Sequence, residues 1–296
     1  MPSRTLTLAI VLFWLATAVW FFDRDVWPHL RPGDAPPYTI ELADEATRLA
    51  VPVRWALSRN GQSLGTLRTT IRYYDADDTF ELTAASPELT LPRIAGLFDI
   101  KILNLSDQIR VNREGELRAM QTDITVRVQA PLETTAKVAI AAAVHNGRLE
   151  RHCRVELPVL GTIEPALEPV PPTRGSVLNP LHPVPRLTGL RPGRHWRQPL
   201  VDPRSDILKA VLANLPGGGS ASGLAARGPQ VLLAEVRPRP EAIAWEGGEH
   251  ACWVVEYRGD LEGDEFRART WVRVSDGLVL RQVAEALGET LELQRD

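Results

Sequence analysis

The sequence predicts a mainly β protein of α+β class: antiparallel curved sheets in two β-rich parts with a packed helix, preceded by one N-terminal transmembrane helix. Three observations carry this expectation. Apolar and polar residues alternate with a period of two through much of residues 53–157 and 230–294, the mark of strands with one buried face. Asn-Gly at 60–61 and 146–147 and Asp-Gly at 276–277 supply tight turns between such runs. Residues 5–22, TLTLAIVLFWLATAVWFF, carry no charge. Hydrophobic residues at 44% and charged residues at 24% exclude a disordered chain, a collagen and a multi-pass transporter. The net charge of -3 gives no broad basic field for nucleic acid, and the 31 Arg against 3 Lys reflect coding bias rather than binding.

As a helix, residues 5–22 would span roughly 27 Å, close to the hydrocarbon thickness of about 30 Å. Arg4 precedes the run and Asp23 and Asp25 come after it, so the positive-inside rule keeps residues 1–4 cytoplasmic and exports the rest to the extracytoplasmic side of the cell membrane. Ala16-Thr17-Ala18 also reads as a cleavage site for a signal peptide. The apolar run continues past it through Val19 to Phe22, which favours a retained single-pass anchor. Residues 23–37, with four prolines, then read as a stalk.

The first β-rich part is expected over 38–160. Leu67, Thr69, Ile71 and Tyr73 point one way after the Asn60-Gly61 turn, and Arg68, Thr70 and Arg72 the other. The same alternation returns in Val138, Ile140, Ala142 and Val144 and, past Asn146-Gly147, in Cys153, Val155 and Leu157. Leu117 and Ala119 lie on one parity and Ile124, Val126 and Val128 on the other, so a bulge is expected near Gln121. Residues 161–204 read as a linker or crossover, because 11 of the 24 prolines fall between 158 and 203. The last part, 205–296, opens with Ser205 as N-cap of a helix over 206–215, where Leu208, Val211, Leu212 and Leu215 form an apolar stripe. Strands at 230–236, 241–245, 250–257, 266–274, 278–283 and 290–294 complete it as an antiparallel meander.

Two cysteines, Cys153 and Cys252, stand 99 positions apart. They are either a single bridge in an oxidising compartment or two separate buried thiols. No HExxH, GxSxG, Walker or GxGxxG string occurs, so no catalytic, cofactor or metal residues are assigned. Asp75, Asp77 and Asp78 read as a solvated turn. Trp271 shares a strand face with Arg267, Arg269 and Arg273, a surface patch suited to Arg-indole stacking or to an interface.

The strings GLRPGRHWRQPLVDP (189–203), ACWVVEYRGD (251–260), RTWVRVSDGLVLRQ (269–282) and RWALSRNGQSLGTLRTT (54–70) resemble bacterial membrane-anchored extracytoplasmic β-rich domains of unknown function, distantly similar to the LolA-type lipoprotein carriers. The resemblance spans 50–160 and 185–296 and implies a curved sheet wrapping a helix, here 206–215, around an apolar concavity for acyl chains. The Pro-rich middle and the anchor depart from a carrier that diffuses. The expected function is a non-catalytic envelope component that binds a protein partner or an apolar ligand close to the membrane. A LolA-like lipid cradle and a hydrolase lacking any recognisable motif are the alternatives.

Overall fold

The computed structural model describes residues 52–94, 98–113, 115–129, 133–158, 161–172, 182, 184–200, 230–259, 267–286 and 289–296, together with 13, 14, 17 and 20. The chain begins its sheet with β1 (Val53–Arg59) and β2 (Gln62–Tyr74), joined at Asn60-Gly61 with φ of 50° and 79°, the left-handed pair that a two-residue hairpin of this kind needs. β3 (Thr79–Ser86), β4 (Leu89–Ile94), β5 (Phe98–Val111) and β6 (Leu117–Gln129) come next. β7 (Glu133–His145) and β8 (Arg148–Leu157) repeat the Asn-Gly hairpin at 146–147. Then come β9 (Gly161–Ile163), β10 (His195–Leu200), β11 (Gln230–Val236), β12 (Glu241–Trp245), β13 (Gly248–Gly259), β14 (Arg267–Arg273), β15 (Val279–Ala286) and β16 (Glu289–Arg295).

All sixteen belong to one sheet, ordered β10-β11-β13-β14-β15-β16-β1-β2-β3-β5-β6-β7-β8-β9, with β12 on β13 and β4 bridging β2 and β5. The last strand therefore lies against the first. β16 pairs antiparallel with β1 from Trp55 opposite Arg295 to Arg59 opposite Leu291, and the Asp296 amide donates to the Arg54 carbonyl.

The sheet buries one face by packing it on itself. Val53 and Trp55 of β1 share an apolar cluster with Trp196 of β10, six strands away in the sheet order, and with Leu232, Val255, Tyr257 and Leu293. A second cluster on the same face gathers Ile71, Phe80, Leu82, Ile109, Val111, Met120, Ile140 and Val155. A third, on the opposite face, holds Cys252, Val254, Trp271, Leu278 and Leu280 under Ile243, Trp245 and Val283.

This architecture corrects the expected fold class. The described residues are nearly all strand, and the two β-rich parts are one continuous sheet rather than two. No helix among them packs on the sheet; the helix expected at 206–215 lies outside the described residues, as do the stalk at 23–37 and most of 5–22. Among the described residues no helix is long and apolar enough to cross a membrane; only 13, 14, 17 and 20 are helical. Among the described residues the inner face, where the helix is expected, is filled by the sheet's own side chains.

The proline-rich stretch is also more than a spacer. It contributes β9, a bridge from Val170 to Leu149, and β10. Between them Pro185 and Leu187 strap the turn joining β14 and β15: the Val279 amide donates to Pro185 and the Leu187 amide to Gly277, while Leu187 enters the core. The parity change in β6 sits at Arg118, where the register slips between Arg110/Ala119 and Val111/Leu117, three residues before the expected place.

Candidate functional site

The sequence expectation groups Trp271, Arg267, Arg269 and Arg273 on one face of β14 (Arg267–Arg273). The face is not an open surface. Trp271 is buried in the third cluster, its indole N-H donates to Glu241 Oε2 at 2.9 Å, and the Arg281 guanidinium lies 4.9 Å from its ring centre. Arg273 stacks on Trp245 at 5.0 Å and grips Asp276 at 2.7 and 2.8 Å. Arg269 reaches Glu256 at 3.2 Å, where Arg237 (2.7 Å) and Arg258 (3.1 Å) also converge; Arg237 binds Glu241 as well. Arg267 pairs through its backbone with Arg258 and Glu285. Burial opposes the charge on Glu256, but hydrogen bonds from Arg258 and Arg237 and the charges of Arg237 and Arg269 outweigh it and hold the carboxyl below its usual range. The described part of the patch is an internal electrostatic network that seals an apolar cluster.

Cys153 and Cys252 are not brought together. Both thiols are free and buried, Cys153 in the cluster under β8 and Cys252 in the outer cluster under β12. Burial raises both, Cys252 to about 11 despite the nearby Arg273, so at neutral pH each is a thiol rather than a nucleophilic thiolate.

The Asp-rich turn after β2 is likewise committed. Asp77 accepts from Thr79 and, through both oxygens, from Arg110; Asp78 accepts from Arg113 at 2.6 Å and Tyr73 at 2.8 Å. At the other Asp turn, Asp276 accepts from Arg273 and from the Leu278 amide, with Arg186 3.8 Å away. Hydrogen bonding from Arg273 is the main cause of an Asp276 pKa of about 2, against 3.8 ordinarily. A carboxyl depressed on folding stabilises fully above its unfolded value and loses that contribution as pH falls through the folded one. Between about pH 4 and pH 2 the protein should therefore lose about 1–2 kcal/mol through this residue. Asp276→Asn should cost about that much at pH 7 and almost nothing further at pH 2, read from urea unfolding at both values. Equal cost at both pH values would contradict the assignment.

The interior that the lipoprotein-carrier resemblance implies as an acyl cradle is occupied by side chains. Trp55, Trp196, Leu232 and Val236 have no exposed surface, and Trp196 meets Tyr257 edge-on at 6.2 Å.

Among the described residues, an open concavity lies on the opposite, outer face of the strands from β5 to β8. Here β7 carries Ala139, Ala141 and Ala143 between longer residues on its neighbours. Register puts Gln121 and His152 on either side of Ala141, Ala119 and Glu150 beside Ala143, and Asp123 and Arg154 beside Ala139. Successive side chains on this face are two residues apart, so the alanines floor a trough about 13 Å long with polar walls. Two adjoining hollows of about 310 and 580 Å³ share Gln121, Ala141 and His152. The first extends to Glu81, Gln108, Arg110 and His145, the second to Arg151 and Glu164. Sequence reasoning on β7 rests on its apolar parity and misses the trough; the alanines on the other parity are the signal that could have found it.

No family model matches the chain, and no curated protein matches it. Among solved structures, it is similar to a β-barrel-like protein of the domain of unknown function DUF1849 from Brucella abortus, with a TM-score of 0.40 and 10% identity over 83% of this chain and 96% of that one. Neither the likeness to lipoprotein carriers nor a membrane anchor appears in these comparisons. They leave the chain as a β-rich protein of unknown function.

Proposed function

We propose that this protein is a non-catalytic envelope component working outside the cytoplasm, held at a lipid surface by aromatic side chains near its N-terminus. The observation that supports it is exposure. Phe13, Trp14 and Trp20 are 74%, 69% and 59% exposed, and Val274 is the one other large apolar residue so exposed among those described. Phe13, Thr17 and Trp20 have helical i, i+4, i+7 spacing, and the Thr17 hydroxyl donates to the Phe13 carbonyl at 2.8 Å. Aromatic rings of this kind partition into the membrane-water interface. Arg4 before the uncharged run, and Asp23 and Asp25 after it, fit export of the C-terminal remainder of the chain. The non-catalytic part of the reading is supported by the two thiols, both buried as neutral groups, and by the arginines and carboxylates around Trp271, which are consumed in mutual pairs.

Flotation of the full chain with neutral phosphatidylcholine vesicles tests the reading. The protein should float with lipid, and the triple variant Phe13→Ser, Trp14→Ser, Trp20→Ser should partition at least about tenfold more weakly, since each ring contributes on the order of 1.5 kcal/mol or more of burial. A full chain that stays with the buffer, or a variant that floats equally well, would overturn it.

A further inference from the structure

We propose that β12 (Glu241–Trp245) is the edge by which two copies of this chain associate, each pairing antiparallel with the other's β12 about a two-fold axis at Ile243. The association is independent of the lipid-surface reading.

Among the described residues β12 has one neighbour in the sheet, β13. The Val274 amide donates to the Ala251 carbonyl at 2.9 Å and the Arg237 amide to the Val254 carbonyl at 2.8 Å. Ala251 therefore turns its backbone groups toward β14, while His250, Cys252 and Val254 turn theirs the other way. Register sets Ile243 opposite His250 and Glu241 opposite Cys252, so these pairs make the ladder bonds. The amides and carbonyls of Ala242 and Ala244 then face away from β13. They have no backbone partner among the described residues, and both alanines are exposed.

Other edges of the sheet are blunted. β10 carries Pro199, and β9 is three residues long. β12 reads EAIAW, with no proline, no lysine and a single charge, at its first residue. Pairing about Ile243 sets Ala242 opposite the partner's Ala244 and Ala244 opposite the partner's Ala242, which closes four backbone hydrogen bonds. Methyl side chains at these positions let the two backbones approach freely.

Charge selects the antiparallel orientation. Arg239 precedes β12, and Arg191 lies at the same end, in the turn whose Gly193 amide donates to Val236. Glu246 and Glu249 lie at the other end. All four are exposed, and Arg191, Arg239 and Glu249 make no ion pair within the protein. Glu246 senses Arg273, which is itself held by both oxygens of Asp276. Arg237, also at the first end, is engaged by Glu241 and Glu256. A two-fold partner brings each basic end against the other's acidic end, whereas a parallel copy would oppose like charges.

Sedimentation velocity of the full chain in mild detergent tests this. A reversible monomer-dimer equilibrium is expected. The pair Ala242→Lys, Ala244→Lys should weaken it at least about tenfold by crowding four ammonium groups at the seam. Ala141→Lys, an equal change on exposed β7, should leave it unchanged. Arg239→Glu should weaken it about two- to fivefold, and adding Glu246→Arg should restore it. An equimolar mixture of Ala242→Cys and Ala244→Cys chains should form an interchain disulfide on mild oxidation, because directly opposed α-carbons stand about 5.5 Å apart. Either variant alone should crosslink far more slowly. Far-ultraviolet circular dichroism checks that each sheet is intact. A chain that is monomeric at every concentration would overturn the proposal, as would a dimer that survives the lysine pair or fails to give the mixed disulfide. Association should persist in the triple variant Phe13→Ser, Trp14→Ser, Trp20→Ser, so failure here and failure of the lipid-surface reading give separate signatures.

Discussion

Trp55→Ala is expected to lower the unfolding free energy by about 3–5 kcal/mol, the range for truncating a fully buried large aromatic side chain. Trp55 has no exposed surface, and its neighbours in the cluster come from both ends of the chain: Val53 and Leu67 from the first hairpin, Trp196, Leu232 and Leu293 from the last third. The loss has two parts that a second variant separates. Trp55 Nε1 donates to Thr69 Oγ1 at 2.9 Å, a buried pair, and Arg295 lies 5.8 Å over the ring. Trp55→Phe keeps most of the apolar volume but strands the Thr69 hydroxyl, and should cost about 1–3 kcal/mol. Urea midpoints at an unchanged slope measure both. A cost below about 1 kcal/mol for the alanine variant would mean that the site is not the closed core described.

Removing residues 289–296 should have a larger effect still: loss of the cooperative fold, a penalty exceeding the roughly 5–15 kcal/mol that domains typically possess. β16 is the strand through which the C-terminal meander meets the first hairpin. Its loss uncovers the edges of both β1 and β15, removes Leu293 from the core and leaves Arg281 without Glu292, its partner at 2.7 Å. It also removes the clasp at the first turn, where the Asn60 amide donates to the Thr290 carbonyl and the Thr290 amide to Asn60 Oδ1, each at 2.8 Å. Two unpaired edges with apolar flanks are aggregation-prone, so the truncated chain should be recovered mostly as insoluble material. A soluble truncation that melts within a few degrees of the full chain would contradict the topology.

Trp55 and β16 also mark the limit of what the sequence discloses. Local features were readable because their cause is local. Asn60-Gly61 and Asn146-Gly147 take positive φ with little strain, so each announces a hairpin; the alternation around Thr69 and Cys153 states which side chains face inward. The contact between β1 and β16 has no local cause. Trp55 and Arg295 are brought together by the curvature of fourteen intervening strands, and no spacing in either segment records it. Proline concealed β10 for a different reason. Pro199 removes an amide hydrogen that the interior of a sheet would require, yet β10 ends the sheet order, where a strand needs hydrogen bonds on one side only.

The candidate sites divide along the same line. The parity of Trp271 was legible, but its burial depends on Ile243 and Trp245 of β12 and on Arg281 of β15, residues distant in sequence whose approach is set by the sheet. The cysteines could be counted but not located, and they belong to clusters on opposite faces. The trough left a faint signal, three alanines on the solvent parity of β7, where long polar residues are usual. Small residues on an exposed face are compatible with plain solvation, and only the walls contributed by β6 and β8 turn them into a hollow. The Asp276-Gly277 turn was read as a turn and nothing more. In the fold it is a fixed point: Gly277 has φ of 75°, and a Cβ there would stand 2.8 Å from Thr188 Cγ2 and 2.9 Å from the Leu187 carbonyl oxygen of the strap.

The central claim is that one continuous sheet, joined through its first and last strands, organises the whole described chain. Residue-resolved amide hydrogen exchange across residues 53–59 and 289–295 tests it most directly. The paired amides of β1 and β16 should exchange slowly and together, with protection comparable to that of β13 and β14 in the core. Exchange of β16 at the rate of unstructured peptide while β13 and β14 remain protected would show that the two halves are not joined, and the account would fail at its foundation.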